Sequence, residues 1–119
     1  MSKKVLICDD EEGIRESLKL ILSEFYDLIV VTSGQQCLEC LEKSKDIGAV
    51  LLDIKMPKIS GLDVLDQIKE KHPAMPVIMV TGYRSVETAA EASARGASGY
   101  IIKPFKSEEI IETVKRNVK

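Results

Sequence analysis

The stretch AVLLD at residues 49–53 decides the fold, because four apolar residues run directly into the carboxylate of Asp53. Three other apolar runs also end in polar groups, namely VLIC before Asp9 and Asp10, VIMV before Thr81, and YII before Lys103. Runs this short and this apolar are typical of parallel strands covered on both faces. Ligand sites of such sheets lie outside the carboxyl ends of the strands. The sequence therefore predicts a polar site at one edge of a buried parallel sheet.

The segments between these runs have apolar residues at every third or fourth position, which predicts amphipathic helices. Helices are expected near residues 12–25, 37–41, 62–68, 85–95 and 110–118, and a further strand is expected at residues 28–31. Strand and helix therefore alternate five times. This alternation indicates right-handed crossovers and one α/β domain with a parallel sheet, spanning residues 1–119.

Two of the helices carry more detailed predictions. The inner face of the helix near residues 85–95 is expected to consist of small groups, namely Val86, Ala89, Ala90 and Ser93. A face of this kind buries little apolar area, so we expect this helix to be held weakly and to move. Ser107 is expected to be the N-cap of the last helix.

The composition narrows the function classes. Seventeen basic and nineteen acidic residues give a formal net charge of −2, so there is no electrostatic footprint for direct nucleic-acid binding. The sequence shows no leader and no spanning segment, so we expect a cytoplasmic protein without membrane association. Cys37 and Cys40 form a C-x-x-C spacing, but no second ligand pair accompanies it. Because both lie in a helical pattern, we predict packing residues rather than redox or metal ligands.

The polar groups at the strand ends predict a particular chemistry. Carboxylates that converge at one edge repel one another, by about 4 kcal/mol for two charges ~4 Å apart at an effective dielectric near 20. Lys103 can offset one charge, and the remaining carboxylate oxygens predict a divalent ion such as Mg2+. A carboxylate beside Mg2+ and lysine can attack phosphorus, while Thr81 supplies a hydroxyl donor. In the structural alternative, Asp9 or Asp10 caps the first helix and Asp53 caps the loop after its strand.

Together these motifs resemble a bacterial response-regulator receiver domain over essentially the whole chain. The matching stretches are VLICDD at residues 5–10, DIKMP at residues 53–57 running to Gly61, VTG at residues 80–82 and KPF at residues 103–105. The resemblance implies a flavodoxin-like fold, with a five-stranded parallel sheet of order 2-1-3-4-5 flanked by five helices. The stretch Thr81-Gly82-Tyr83 and the helix after it are similar in particular to those of receivers at the start of transcription activators that work with an ATPase module. Ser60 departs from the pattern, since many relatives carry aspartate there.

The resemblance also implies the chemistry of the acidic residues. Asp53 matches the phosphoacceptor, which receives a phosphoryl group from a histidine kinase or a small phosphodonor. Asp9 and Asp10 match the acidic pair that holds Mg2+ or Mn2+. Asp53 and the main-chain carbonyl of Lys55 would complete the protein ligands. The chain is thus expected to be a switch that catalyses only its own phosphorylation and dephosphorylation.

The remaining site residues match the positions that respond to phosphorylation in members of this family. Thr81 and Lys103 match the groups that contact the phosphoryl oxygens. Tyr100 matches the aromatic residue whose ring turns inward when the threonine moves. The readout surface is then expected on the fourth helix, fifth strand and fifth helix. The implied partners are a sensor histidine kinase and an output domain or downstream protein, and a homodimer formed on phosphorylation fits the same surface.

Two other function classes compete with a phosphorylation switch. Aspartate-nucleophile phosphatases use similar chemistry, but they typically begin with Asp-x-Asp rather than the adjacent pair Asp9-Asp10, and this chain has no inserted cap over a substrate. A pseudo-receiver that binds partners without phosphorylation would be expected to lack Asp53, Thr81 or Lys103. All three are present, so the sequence favours the switch and keeps the pseudo-receiver as the alternative.

Overall fold

Five strands alternate with five helices in the computed structural model, which describes residues 3–118. The strands are β1 (Lys4–Cys8), β2 (Asp27–Val31), β3 (Ile47–Leu52), β4 (Val77–Thr81) and β5 (Gly99–Ile102). The helices are α1 (Glu12–Leu22), α2 (Gly34–Lys43), α3 (Gly61–Lys71), α4 (Val86–Ala94) and α5 (Ser107–Asn117). All paired strands are parallel, in the order β2-β1-β3-β4-β5. The predicted fold class and strand order are confirmed.

The sheet separates two apolar layers. One lies between the sheet and α2 and α3, where Cys37, Leu65 and Ile68 are fully buried. The other lies between the sheet and α1 and α5, with Leu18 and Ile110 at its centre. Each fully buried leucine or isoleucine contributes about 1.5–3 kcal/mol. These layers hold the strands, and therefore the strand ends, in fixed positions.

Two helix ends differ from the predictions. Helix α1 ends at Leu22 rather than near residue 25, because the amides of Phe25 and Tyr26 both donate to the carbonyl of Leu22 in a turn. Phe25 is 42% exposed, and its ring lies 4.6 Å from the ammonium of Lys115. Ser107 is already the first residue of α5, so the predicted cap is wrong. The N-cap is Lys106, whose extended backbone precedes the helix.

Helix α4 is as weakly anchored as predicted, but through a different face. Ala92 is its only fully buried residue, and Val86 is 79% exposed. The predicted inner face is therefore wrong: the face that packs on the sheet is rotated about the helix axis by about one residue from the predicted one. The small residues that suggested this face carry little information about which of them points inward. A single buried alanine contributes little apolar area, which leaves α4 the least secured helix among residues 3–118.

Candidate functional site

The parallel register places the predicted site residues at one edge of the sheet. Cys8 lies beside Leu52, so Asp9 and Asp53, one residue further along each strand, are neighbours. The amide of Asp53 donates to the carbonyl of Cys8 at 3.1 Å, which fixes the two strand ends together. A cleft of about 520 Å3 opens at this edge. It is lined by Asp10, Glu11, Asp53, Lys55, Thr81, Gly82, Tyr83 and Lys103.

Lys103 is the positive centre of the cleft. Its ammonium lies 3.0 Å from Asp9 Oδ2, 3.1 Å from Asp53 Oδ2 and 2.9 Å from Glu11 Oε1. Asp9 and Asp53 are almost fully buried, whereas Glu11 is exposed. One ammonium therefore faces three carboxylates, and the cluster keeps an excess of negative charge.

The same two aspartates also hold the backbone. Asp9 Oδ1 accepts a hydrogen bond from the amide of Glu11 at 2.9 Å, and Asp53 Oδ1 accepts one from the amide of Lys55 at 3.3 Å. The structural alternative is wrong for Asp9, because the N-cap of α1 is Glu11, whose side chain makes no capping hydrogen bond, and Asp9 binds the amide of Glu11 before the helix begins. It is correct for Asp53, whose Oδ1 holds the loop after β3. The other oxygen of each aspartate lies at the Lys103 ammonium, so each side chain holds a nearby backbone amide and also belongs to the cleft.

The cluster shifts the protonation equilibria of its members. Burial raises the pKa of Asp9, and this effect outweighs the opposing hydrogen bonds from the Glu11 amide and from Lys103. Burial alone would lower the pKa of Lys103, but its hydrogen bonds to Glu11 and Asp9 and the charge of Asp53 prevail and raise it. Lys103 therefore remains a cation at neutral pH.

The acidic residues fit a divalent cation. One carboxylate oxygen each from Asp9, Asp10, Glu11 and Asp53 lies within 4.8 Å of the others. All of these donors are hard oxygen atoms, which is the chemistry that Mg2+ and Mn2+ prefer. Lys55, whose carbonyl the resemblance implies as a ligand, lines the same cleft.

Gly61 holds the loop after β3 against the site. Its amide donates to the carbonyl of Ile54 at 2.8 Å, and a Cβ atom here would lie 2.0 Å from the carbonyl oxygen of Asp53. No side chain fits at that distance. Ser60, the residue before it, caps α3 by accepting a hydrogen bond from the amide of Leu62 at 3.2 Å. The serine that departs from the family pattern therefore supplies the helix cap.

Thr81 and Tyr100 are connected through Tyr83. Thr81 is fully buried at the end of β4, and its Oγ1 accepts a hydrogen bond from the amide of Tyr83 at 3.4 Å. The Tyr100 hydroxyl donates to the carbonyl of Tyr83 at 2.9 Å. Arg84 Nη2 donates to the carbonyl of Lys103 at 3.2 Å, joining the loop after β4 to the end of β5. One short loop thus contacts every residue expected to respond to the site.

Glu11 is the residue of the site that sequence reasoning missed. It forms the shortest ion pair with Lys103 and belongs to the group of oxygens that fits a cation. Its position directly after Asp9 and Asp10 was the available signal. A glutamate at the start of a helix is also an ordinary solvated residue, and only the fold shows that Lys103 reaches it from the other end of the chain.

Comparisons with known proteins agree with this geometry. Residues 5–115 match the family described as response regulator receiver domain. An NtrX-like response regulator of Rickettsia bellii is 40% identical over 115 residues, which are 94% of this chain and 24% of that protein. This chain thus spans about a quarter of the length of that relative.

Two solved structures have closely similar folds. The CheY-like receiver domain protein of Methanospirillum hungatei is 33% identical with a TM-score of 0.91, covering 98% of this chain and 93% of that one. NtrX of Brucella abortus is 35% identical with a TM-score of 0.90, covering 98% of this chain and 27% of that one.

Proposed function

The chain belongs to the family of response regulator receiver domains of two-component systems, and we propose that phosphorylation of Asp53 switches it between two conformations. The family consists of signalling proteins rather than conventional enzymes. The observation that carries the proposal is the Lys103 ammonium, which lies 3.1 Å from Asp53 Oδ2 inside the acidic cleft. A carboxylate oxygen that lies next to a fixed cation and lines an open cleft is placed to accept a phosphoryl group.

The phosphoryl transfer follows from these positions. A carboxylate oxygen of Asp53 forms the new bond to phosphorus as the bond from phosphorus to the donor atom breaks. Lys103 offsets the charge of the phosphoryl oxygens, and the Thr81 hydroxyl donates a hydrogen bond to one of them. Asp9, Asp10, Asp53 and the Lys55 carbonyl would hold Mg2+ or Mn2+. The bound ion would supply further positive charge at the phosphoryl oxygens.

The response to phosphorylation begins at Thr81. If its hydroxyl turns to the phosphoryl group, the hydrogen bond from the Tyr83 amide is lost and the loop after β4 rearranges. The carbonyl of Tyr83 then moves relative to the Tyr100 hydroxyl, which releases the ring. Because α4 follows this loop and buries only Ala92, its position changes at low cost. The phosphoryl group selects the conformation in which these contacts form.

The surface that reports this change is formed by α4, β5 and α5. A shallow cavity of about 560 Å3 lies between β5 and α5, and a smaller one of about 200 Å3 lies between α4 and β5. Tyr100 lines both. A change at Tyr100 would alter both cavities together, which supports this face as the contact for an output domain or partner protein.

From the family we infer the partners of the whole protein. A sensor histidine kinase would donate the phosphoryl group, and an output domain or downstream protein of a transcription activator would read the switch. Phosphorylation would also favour a homodimer through the same face. We propose that residues 1–119 form one receiver domain acting in the cytoplasm without direct contact to nucleic acid. Within residues 3–118, no helix is both long and apolar enough to cross a membrane.

Intact-mass spectrometry after incubation with acetyl phosphate tests the proposal. We expect the mass of one phosphoryl group, dependent on Mg2+ and absent in Asp53→Asn. Asp27→Asn, an exposed aspartate on the edge strand, makes the same charge change and should not affect the adduct. Absence of any adduct in the wild type, together with no Mg2+-dependent rise in thermal stability, would instead support a pseudo-receiver that binds partners without phosphorylation.

A further inference from the structure

Glu11 occupies a position in the cleft that the phosphoacceptor and the acidic pair do not explain. Its carboxylate forms the closest contact to Lys103, at 2.9 Å, although its side chain is 60% exposed. A side chain this exposed could have extended into solvent in many directions. Instead, it lies on the solvent side of an ammonium whose own side chain is only 12% exposed.

The other two partners of Lys103, Asp9 and Asp53, also bind the cation in the proposed function, and this inference rests on that function. Asp9 and Asp53 belong to the proposed ligands of the cation, with Asp10 and the Lys55 carbonyl. Glu11 has an oxygen in the same acidic group but is not among those ligands. If a cation were bound to Asp9 and Asp53, its charge would repel the Lys103 ammonium, and the two carboxylates would no longer be free to hold it. Without another anchor, the ammonium would move away from the cleft just when the phosphoryl group needs it.

We propose that Glu11 is a positioning residue that keeps Lys103 at the cleft when Asp9 and Asp53 are occupied by a cation. Its backbone is held from two sides, since its amide donates to Asp9 Oδ1 at 2.9 Å and its carbonyl accepts from the amide of Arg15 at 3.1 Å. The carboxylate therefore starts from a fixed point beside the acidic pair. Because Glu11 is not among the proposed ligands of the cation, its charge-assisted hydrogen bond of 2.9 Å to Lys103 would remain when the cation binds.

The geometry also fixes which neighbour can serve as a control. Glu12 is the next residue, is exposed and lies in the first turn of α1. Among residues 3–118, its carboxylate is not part of the oxygen group that fits a cation. Glu12→Gln therefore removes one negative charge at nearly the same place, without removing a partner of Lys103. Any effect of general electrostatics would appear equally in Glu11→Gln and Glu12→Gln.

The first test observes the lysine directly. Ammonium groups held in hydrogen bonds exchange protons slowly enough to be seen by nitrogen-15 NMR, and Lys103→Arg assigns the signal. We expect the Lys103 signal with and without Mg2+ in the wild type and in Glu12→Gln. In Glu11→Gln it should be present without Mg2+ and lost at saturating Mg2+. A signal that persists in Glu11→Gln at saturating Mg2+ overturns the inference.

The second test measures phosphorylation by acetyl phosphate at saturating Mg2+. We expect Glu11→Gln to lower the maximal rate about threefold, the effect of one exposed charged pair, with no increase in KM. Glu11→Asp, which retains the carboxylate, should recover part of the rate, and Glu12→Gln should match the wild type. If the wild type is phosphorylated and the two glutamine variants behave alike, only the role of Glu11 fails. A wild type that binds no Mg2+ in calorimetry and forms no adduct overturns both proposals.

Discussion

Replacement of Asp10 by asparagine should stabilise the metal-free protein. Asp10 is an exposed member of the acidic group in the cleft, while Lys103 contacts Asp9, Glu11 and Asp53 instead. The other carboxylates therefore repel the charge of Asp10, and no direct contact with Lys103 offsets this repulsion. The asparagine side chain keeps the shape of aspartate and removes only this repulsion.

The separation of the oxygens sets the size of the effect. The four carboxylate oxygens lie within 4.8 Å of one another. Two unit charges at this distance repel by about 3.5 kcal/mol at an effective dielectric of about 20. Because Asp10 is exposed, solvent and salt reduce the net gain on its removal to about 1 kcal/mol. For a domain of this size, that corresponds to an increase in Tm of about 4 °C.

Thermal unfolding of the two proteins, with and without Mg2+, checks this reasoning. We expect Asp10→Asn to unfold at a higher temperature than the wild type in EDTA, and to gain less from added Mg2+ because one cation ligand is missing. High salt should shrink the difference in EDTA. Asp27→Asn, with the same charge change far from the cleft, should leave Tm nearly unchanged. If Asp10→Asn is less stable than the wild type in EDTA, the repulsion argument is refuted.

Three further predictions concern the packing, the pH response and the switch. Gly61→Ala places a Cβ atom 2.0 Å from the carbonyl oxygen of Asp53, so we expect a loss of about 2 kcal/mol or more in urea unfolding and slower phosphorylation. Burial raises the pKa of Asp9 above the ordinary 3.8, so its protonated form stabilises the fold fully below pH 3.8, and that stabilisation is lost as pH rises through the raised pKa. Mg2+ and this proton compete for the Asp9 carboxylate. On acidification, the Mg2+-dependent rise in Tm should therefore disappear at a higher pH than it would if Asp9 had the pKa of an ordinary aspartate. Tyr100→Phe removes the hydrogen bond to the Tyr83 carbonyl and should cost about 1 kcal/mol, measured by urea unfolding, with unchanged Mg2+ affinity.

Matched variants distinguish these effects from general disturbance. Gly13→Ala meets no atom within 4 Å and should not destabilise α1, so equal losses in Gly13→Ala and Gly61→Ala would contradict the packing argument. In EDTA, Asp9→Asn should lack the stabilisation that the wild type gains as the pH falls through the raised pKa of Asp9, and its persistence would assign the proton to another group. If Tyr26→Phe weakens the fold as much as Tyr100→Phe, the hydrogen bond to the loop after β4 is not the cause.

The strand ends were predictable because each one carries its own signal. A short apolar run that stops at a polar residue specifies a buried strand and its carboxyl end without reference to any other part of the chain. Asp53 and Thr81 were identified in this way, and the structure places both at the cleft. The helices with large apolar residues, such as Leu65 and Ile110, were placed correctly in the chain, although the end of α1 and the N-cap of α5 were not. Helix α4, whose residues are nearly all small, was placed correctly in the chain but given the wrong inner face.

The amino-acid sequence by itself determined the order of the elements, the residues that end the strands and the excess of acidic groups among them. Only the tertiary structure decided which charges meet. Lys103 and Glu11 are 92 residues apart, and their contact depends on β5 and β1 ending at the same edge of the sheet. The connection from Thr81 through Tyr83 to Tyr100 likewise exists only because β4 and β5 are neighbours. Local patterns report burial and backbone conformation, whereas the partners of a side chain depend on how distant strands are arranged.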